Sequence, residues 1–221
     1  MTVSTTLSVP TVAFQSSQLG CINYWNSFYE QETSYSATGG DLECWYEETL
    51  EGVLQMIVNL PLTKSEPILD VGTGNASFLV TLFNMNFTNL LGTDYAPQSV
   101  KLSKIILSQN KVNARIIQDD ILNTQLPSSS FSLIHDKGTL DAIMLSGISD
   151  YFEQYIKAIT YILKPGGYFC ITSSNFTADE LISGFCSASL FEVVSQMRHS
   201  SFSFGGITGN SRVSFILKKI D

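Results

Sequence analysis

The chain has 221 residues, of which 44% are hydrophobic, so it is long enough to bury one sizeable core. Its formal net charge is -8, and only 12 lysine and arginine residues are spread along it, which argues against nucleic-acid binding. We expect a basic partner instead, because opposite charges favour association.

The cysteines and the hydropathy pattern are typical of a protein from a reducing compartment. Cys21, Cys44, Cys170 and Cys186 form no C-x-x-C pair, so we expect free thiols and no metal site. The chain does not open with basic residues followed by an apolar segment, and it contains no run of about 18 apolar residues. We therefore predict a cytoplasmic protein that does not interact with membranes.

Residues 1–18 are rich in serine, threonine and small side chains, and we predict a flexible tail there. One domain is expected over residues 19–221, with an N-terminal helical part at 19–60 and a sheet core at 61–221. Within the helical part, residues 47–60 show the amphipathic helical period. The apolar positions that show this period are Leu50, Val53, Leu54, Ile57 and Val58.

Strands and helices alternate through the rest of the chain. Predicted strands cover 68–71, a segment ending at 94, then 114–120, 131–136 and 168–172. Predicted helices cover 76–86, 97–110, 149–163 and 177–187, the last with a capping box of Thr177 and Glu180. Residues 191–197 and 212–219 are expected to pair as antiparallel strands at one edge. This alternation predicts an α/β fold whose mostly parallel sheet carries helices on both faces.

The stretch PILDVGTGNASFLV predicts a strand, a bare turn and a helix. In sheets of this kind ligands bind at the carboxyl ends of the strands, and Gly72 and Gly74 let a ligand approach the backbone there. A dinucleotide is one candidate, but its fingerprint requires glycine at the position of Ser77. Asp70 would also place like charge beside a pyrophosphate, whereas it suits a ligand that carries an ammonium group.

Two further acids follow the next two predicted strands. Asp94 lies twenty residues beyond Gly74, where a carboxylate can accept both hydroxyls of a ribose, and Asp120 can accept from the exocyclic amine of adenine. An amino acid, a ribose and an adenine together describe S-adenosylmethionine. Taken singly, each acid could instead cap the turn or helix beside it, and Asp119 or Asp120 could be a solvated loop acid. Acids at three consecutive strand ends favour the cofactor site.

The motifs ILDVGTGN, LLGTDYAPQSV, QDDI, FSLIHDKGTLDAI and LKPGGYFCIT resemble those of the class I S-adenosylmethionine-dependent methyltransferases. More narrowly, NYWNSFYEQE, WYEE, DKGT and SFSFGGITGNS resemble the lysine methyltransferases that modify translation elongation factor 1-alpha. The resemblance begins at about Cys21 and implies a Rossmann-like fold with a seven-stranded sheet. It makes residues 19–221 a methyltransferase domain.

The resemblance also implies the cofactor contacts. The methionine moiety is assigned to Asp70, Gly72, Gly74 and Asn75, the ribose to Asp94, and the adenine to Tyr95, Asp120 and Ile121. Trp25 and Tyr29 of the N-terminal segment would line the same pocket, although their spacing also fits a helix that packs aromatic rings on the core.

The transfer site is expected beside the motif DKGT. Asp136 would stand at the methionine end of the cofactor, and the catalytic candidates are Asp136, Lys137, Thr139 and Asp141. Thr139 and Asp141 could equally cap the helix that follows. Trp45 and Tyr46 could be lid or core residues, and the substrate channel is assigned to Asn175, Phe202 and Phe204.

Three functions are consistent with these patterns. The leading one is methylation of a lysine on a basic protein, with elongation factor 1-alpha as the expected partner and a monomeric enzyme. In-line displacement then requires a neutral, desolvated amine aligned behind the methyl group. A methyltransferase for small molecules is the second, and a non-catalytic binding module of the same fold is the third.

Overall fold

The structure, a computed structural model, describes residues 15–199, 203–204, 207–208 and 212–220. The helices are α1 (Ile22–Ala37), α2 (Leu50–Val58), α3 (Ser77–Asn84), α4 (Pro97–Gln109), α5 (Thr139–Met144), α6 (Tyr151–Ile162) and α7 (Ala178–Phe185). The strands are β1 (Ile68–Val71), β2 (Leu90–Asp94), β3 (Arg115–Gln118), β4 (Phe131–Lys137), β5 (Leu163–Ser173), β6 (Phe191–Arg198), β7 (Ser203–Phe204), β8 (Ile207–Thr208) and β9 (Val213–Lys219). Single 3-10 turns cover Gln18–Gly20, Glu47–Thr49, Ile121–Asn123 and Ser187–Ser189.

Seven strands form one sheet in the order β3-β2-β1-β4-β5-β9-β6. The first five strands are mutually parallel, and β9 is antiparallel to both β5 and β6. The sequence therefore predicted the fold class correctly, including the antiparallel pair at one edge. The order reverses at β1, which pairs with β2 on one side and β4 on the other, and ligands bind at such a reversal.

Helices cover both faces of this sheet because its strands are apolar on both sides. Leu69 and Val71 of β1 pack in one core with α5, α6 and α7. Ile68 of the same strand packs in a second core with α2, α3 and α4. Successive side chains of a strand point to opposite faces, so Asp70 shares its face with Ile68. The strand thus carries one carboxylate beneath the turn that follows it.

Several boundaries differ from the sequence prediction. β5 begins at Leu163 and contains the KPGG motif, because a register irregularity on β4 lets the strand pair before and after these residues. The predicted capping box is confirmed, since the Thr177 side chain accepts from the Glu180 N–H and the Glu180 carboxylate accepts from Thr177. Residues 203–204 and 207–208, within the segment expected to be a loop, form a short hairpin.

The N-terminal segment packs on the domain from Ser17 onward. The Ser17 N–H donates to the Leu145 carbonyl at 2.9 Å, and α1 packs on α4. The first fourteen residues of the predicted tail lie outside the described residues. Within the segments that the structure describes, no helix has the length and apolarity needed to cross a bilayer.

Candidate cofactor and transfer site

A cavity of about 630 Å³ lies over the carboxyl ends of β1 to β5. Adjacent strands are about 4.8 Å apart, so the five strand ends from β3 to β5 span roughly 19 Å. The volume falls within the range of sites for small molecules. Its walls come from the turn after β1, the ends of the other four strands, α5, and residues of the N-terminal segment.

The glycines of the turn after β1 are required by their backbone and by close contacts. Gly72 and Gly74 have φ of 62° and 60°, in the left-handed region that favours glycine. A Cβ on Gly72 would lie 2.0 Å from the Thr139 hydroxyl, and one on Gly74 would lie 2.8 Å from the Tyr29 hydroxyl. The turn ends where Asn75 accepts from the Ser77 N–H at 3.1 Å and α3 begins.

Asp70 is buried beneath this turn and lines the cavity. One of its oxygens is 2.7 Å from Nδ1 of His135, and the other accepts from the Thr73 hydroxyl at 2.6 Å. His135 is itself buried and stacks on the ring of Phe78, with 3.6 Å between ring centroids. The carboxylate is therefore fixed in place before any ligand binds.

Asp94 connects the end of β2 to the glycine turn. It accepts from the Gly74 N–H at 3.2 Å, from the Ala96 N–H at 2.9 Å and from the Ser99 hydroxyl at 2.7 Å. Burial raises the pKa of this carboxyl to about 6, although the three hydrogen bonds lower it and nearby Asp70 raises it further. Asp94 thus binds the turn before α4 and also lines the cavity, so the capping and cofactor roles are compatible.

The loop after β3 places two acids at one end of the cavity. Asp120, expected at the adenine amine, accepts from the Leu122 N–H at 3.0 Å and caps the 3-10 turn that contains Ile121. One oxygen of Asp119 accepts from the Gln125 N–H, while its other oxygen is buried without a partner among the described residues. Both acids and Ile121 line the cavity. The buried oxygen without a partner belongs to Asp119, whereas Asp120 is exposed and uses one oxygen for its cap.

Asp136 does not line the cavity, in contrast to the other predicted acids. Its carboxylate is fully buried and accepts from the Thr139 and Leu140 N–H groups at 2.8 and 3.1 Å, and from the Tyr155 hydroxyl. Burial raises its pKa to about 7 despite these bonds. Asp136 therefore holds the start of α5 from behind the cavity wall, and the roles implied for it at the cofactor and at the transfer site stay predictions.

Lys137 and Thr139 line the cavity and connect its walls. The Lys137 ammonium donates to the Trp45 carbonyl at 2.5 Å and lies 3.5 Å from the Cys44 sulfur. The Thr139 hydroxyl donates to the Val71 carbonyl at 2.9 Å, so it joins α5 to β1 and does not cap its own helix. Neither side chain is free to act as a base in this arrangement.

Asp141 is buried at the opposite end of the cavity from Asp119. One oxygen accepts from the Ser173 hydroxyl at 2.5 Å, and the other accepts from the Ser174 N–H at 2.8 Å and the Tyr46 hydroxyl at 3.0 Å. It does not cap α5, since no side-chain bond to the helix start is present. The carboxylate orients three neighbouring groups and has no oxygen without a partner.

Residues 43–46, here called the strap, pass over the cavity. Asn75 donates to the Glu43 carbonyl at 3.0 Å, and the Glu43 N–H donates to Glu32 on α1 at 2.9 Å. Together with the Lys137 bond, these contacts fasten the strap to the ends of β1 and β4 and to α1. The indole N–H of Trp45 is buried with no partner within the described part of the chain.

Aromatic rings of α1 complete this wall. Trp25 stacks on Tyr29 with 5.9 Å between centroids and meets Trp45 edge-on at 5.6 Å. Trp25 and Tyr29 both line the cavity, as does Tyr95 at the end of β2. Trp25 and Tyr29 therefore pack as aromatic residues of a helix and also line the cavity, so the two interpretations are compatible.

The sequence reasoning missed Arg212 and left open the role of Tyr46. The Arg212 guanidinium lies 4.6 Å over the Tyr46 ring and pairs with Glu48. These residues are far apart in the chain, so no local pattern indicated the contact. Asn175 lines the cavity as expected. The other two residues expected in the channel, Phe202 and the side chain of Phe204, lie outside the described residues.

Comparisons with known proteins agree with this geometry. A family model described as "Methyltransferase domain" matches residues 62–216. EEF1A lysine methyltransferase 2 of Homo sapiens is 35% identical over 212 residues, which cover 94% of this chain and 89% of that protein. Protein-lysine N-methyltransferase EFM4 of Saccharomyces cerevisiae is 31% identical and covers 90% of this chain and 93% of its own length.

Solved structures share the fold at low sequence identity. A SAM-dependent methyltransferase from Methanosarcina mazei superposes with a TM-score of 0.63 at 16% identity, covering 74% of this chain and 97% of its own. The [4+2]-cyclase SpnF gives 0.70 at 14% identity, covering 97% and 99%. The family model and the relatives establish the family: the chain belongs to the methyltransferases, among the relatives of EEF1A lysine methyltransferase 2 and EFM4.

Proposed function

We propose that this protein transfers a methyl group from S-adenosylmethionine to a lysine side chain of elongation factor 1-alpha. The observation that carries the proposal is a cavity over five parallel strand ends, with acids at or just beyond the carboxyl ends of β1, β2 and β3. Relatives that cover most of the chain are named for lysine methylation of this factor, which supports the choice of acceptor.

The cavity fits a cationic nucleoside. Asp70 and Asp94 are both buried in its wall, and burial, followed by the charge of Asp70, raises the pKa of the Asp94 carboxyl, so a positive ligand relieves this repulsion. The unpartnered oxygen of Asp119 offers an acceptor to an exocyclic amine. Gly72 and Gly74 let the Thr139 and Tyr29 hydroxyls approach the turn closely, and the turn itself lines the cavity. The pyrophosphate of a dinucleotide would instead lie beside carboxylates of the same charge.

Each group has a separate task in this proposal. S-adenosylmethionine supplies, when bound, a methyl group on a sulfonium sulfur and needs no acid to activate it. Asp70, Gly72, Gly74 and Asn75 would hold the amino-acid part, Asp94 the ribose, and Asp119 with Ile121 and Tyr95 the adenine. Lys137 holds the strap closed, and the strap with Trp25 and Tyr29 excludes water. Catalysis then depends on positioning and desolvation of the acceptor amine.

Charge complementarity supports a basic protein as the acceptor. The first 63 residues contain seven acids and no lysine, arginine or histidine. The acids are Glu30, Glu32, Asp41, Glu43, Glu47, Glu48 and Glu51. Several of them surround the strap, so the rim of the cavity is negative and favours the approach of a basic, lysine-bearing surface. We further propose that the enzyme is a cytoplasmic monomer that binds neither nucleic acid nor membranes.

The test uses elongation factor 1-alpha produced in bacteria, so that it is unmodified at the start. We expect labelled S-adenosylmethionine to transfer its methyl group to one lysine, which mass spectrometry of the digested factor identifies. Asp94→Asn serves as the binding-deficient control and should leave the factor unlabelled. Label that appears only in small molecules from an added cell extract would contradict the protein acceptor and favour a small-molecule methyltransferase.

A further inference from the structure

Tyr46 occupies the end of the cavity that lies over β4 and β5. Its ring approaches Gly138, the residue that follows β4, so that a Cβ there would lie 3.1 Å from the ring. Tyr46 has a φ of 56°, in the left-handed region that non-glycine residues rarely adopt. Such a conformation persists where surrounding contacts determine it, and residues of this kind cluster at functional sites.

The hydroxyl of Tyr46 has its proton committed to the protein. It lies 3.0 Å from an oxygen of Asp141 and 2.7 Å from the Ser174 hydroxyl, and its proton can point to either of them. If the proton points to Asp141, Ser174 donates to Tyr46, and if it points to Ser174, that hydroxyl donates to Asp141 at 3.2 Å. In both arrangements the tyrosine oxygen meets an incoming N–H group only as an acceptor.

The same oxygen cannot serve as a base. Burial, followed by the charge of Asp141, raises the pKa of the Tyr46 hydroxyl far above the physiological range. Arg212, which also lines the cavity, lies over the ring and pairs with Glu48, and this fixes the orientation of the tyrosine side chain. The group is therefore a neutral, oriented acceptor in the wall where the transfer site is expected.

We propose that the Tyr46 hydroxyl accepts a hydrogen bond from the acceptor amine and directs its lone pair along the cavity. Asp141 and Ser174 are positioning residues, because they act through the orientation of this hydroxyl. This inference rests on the proposed function and assigns a substrate contact within the same site. The strand order supports it, since the adenine end lies over β3 and the far end, over β4 and β5, is left for the acceptor.

The chemistry balances without a further reactant. The lysine first releases one proton to water, and its nitrogen then forms a bond to the methyl carbon. The bond between that carbon and the sulfonium sulfur breaks, and its electron pair stays on sulfur as a thioether. The methylated ammonium releases a proton to water before any second transfer. Throughout, Tyr46 keeps its own proton and holds one N–H of the amine.

The test compares two Tyr→Phe variants. Tyr46→Phe removes the hydroxyl in the cavity wall, and Tyr35→Phe is the matched control on α1, where the Tyr35 side chain is 59% exposed. We expect Tyr46→Phe to lower kcat for elongation factor 1-alpha by about 30-fold, because the amine loses its orienting partner. The KM for the factor and the Kd for S-adenosylmethionine should change by less than about twofold. Tyr35→Phe should behave as wild type in all three measurements.

Asp141→Asn provides a second variant that keeps the size of the side chain. Its amide oxygen can still accept from the Ser174 N–H and from Tyr46, but the group carries no charge to hold the tyrosine proton, so the hydroxyl can turn its proton towards the amine. We expect a loss of kcat similar to that of Tyr46→Phe, and a double variant no worse than either single one, because the residues act as a unit. Additive losses would overturn the inference.

Two other results are decisive. If Tyr46→Phe keeps kcat within twofold of wild type, or loses cofactor affinity in proportion to kcat, Tyr46 has no contact with the amine. In that case the proposed function stands. A wild-type protein that binds S-adenosylmethionine and transfers no methyl group to elongation factor 1-alpha would overturn the proposed function together with this inference.

Discussion

The sheet side and the strap side of the cavity are built differently. On the sheet side, Asp70 and Asp94 line the cavity and Asp136 is buried behind its wall, and each of the three carboxylates accepts at least two hydrogen bonds. On the strap side, aromatic rings and backbone carbonyls line the cavity and are fastened by a few side chains from the sheet. The sheet side is set by the fold, whereas the strap side depends on single contacts. A substitution can therefore change one side and leave the other intact.

The largest expected effect concerns Asp136 and the stability of the sheet side. Burial raises its pKa from 3.8 to about 7, so the folded protein binds this proton more tightly than the unfolded chain does. The stability that this proton contributes is present below about pH 4 and is lost as pH rises through 7. Asp136→Asn has no such group. We expect the free energy of unfolding of Asp136→Asn, relative to that of wild type, to rise by at most about 4 kcal/mol from pH 4 to pH 8.

Urea unfolding at several pH values measures this difference. Val194→Ala, a change at an exposed position of β6 that does not titrate, is the control and should keep a constant difference from wild type. A constant difference for Asp136→Asn as well would show that its carboxyl titrates alike in the folded and unfolded chains.

Asp94→Asn tests the ligand-binding part of the sheet side. An amide cannot replace a carboxylate that accepts from three groups and also faces a cationic ligand, so at least one partner is left unsatisfied. We expect the affinity for S-adenosylmethionine to fall about 100-fold, or about 2.7 kcal/mol, by calorimetry. The affinity of Asp94→Glu, which keeps the charge, should lie between those of Asp94→Asn and wild type. Unchanged affinity in Asp94→Asn would show that Asp94 does not contact the ribose.

Lys137→Met removes the bond that joins the strap to the end of β4. The variant keeps an unbranched side chain one atom shorter and loses its charged donor to the Trp45 carbonyl, so the strap should open more often. We expect an affinity for S-adenosylmethionine about tenfold lower, with faster amide exchange in residues 43–46. Lys157→Met, at an exposed position of α6, should change neither quantity. A strap that exchanges as slowly as in wild type would contradict the closing role of Lys137.

The smallest expected effect concerns the acids around the strap. Glu47→Gln combined with Glu51→Gln removes two exposed charges without touching the Glu48–Arg212 pair. We expect the KM for elongation factor 1-alpha to rise about threefold at low salt and the difference to vanish near 0.5 M salt, where exposed charges are screened. Glu192→Gln on the edge strand β6 is the control. A difference that persists at high salt would point to a contact other than charge.

The sheet side was accessible from the sequence to a large extent. The prediction for β1 has the observed ends, and β2 ends at Asp94 as expected, because apolar runs bounded by glycine and polar residues define buried parallel strands. The direction of each carboxylate was not accessible. Asp136 and Asp120 turn to cap the elements beside them, and Asp119 keeps the free oxygen, which depends on loop geometry and not on spacing.

The strap side was harder to predict because its contacts join distant parts of the chain. Tyr46 meets Asp141 and Arg212, which follow it by 95 and 166 positions, and no periodicity links such residues. The resemblance to a family directed attention to Trp25 and Tyr29, yet it offered no reason to place Arg212 over Tyr46. Tertiary packing decides these contacts, and only the folded chain brings these residues together.

The chain contains two tryptophans, Trp25 and Trp45, and both stand in the cavity wall in contact with each other. Excitation of indole therefore reports on this wall alone, with no background from other parts of the molecule. Entry of an adenine or closure of the strap should change the polarity around the rings and shift or quench their emission. The protein thus carries an intrinsic optical probe of its own occupancy, which allows binding and closing rates to be followed without a dye.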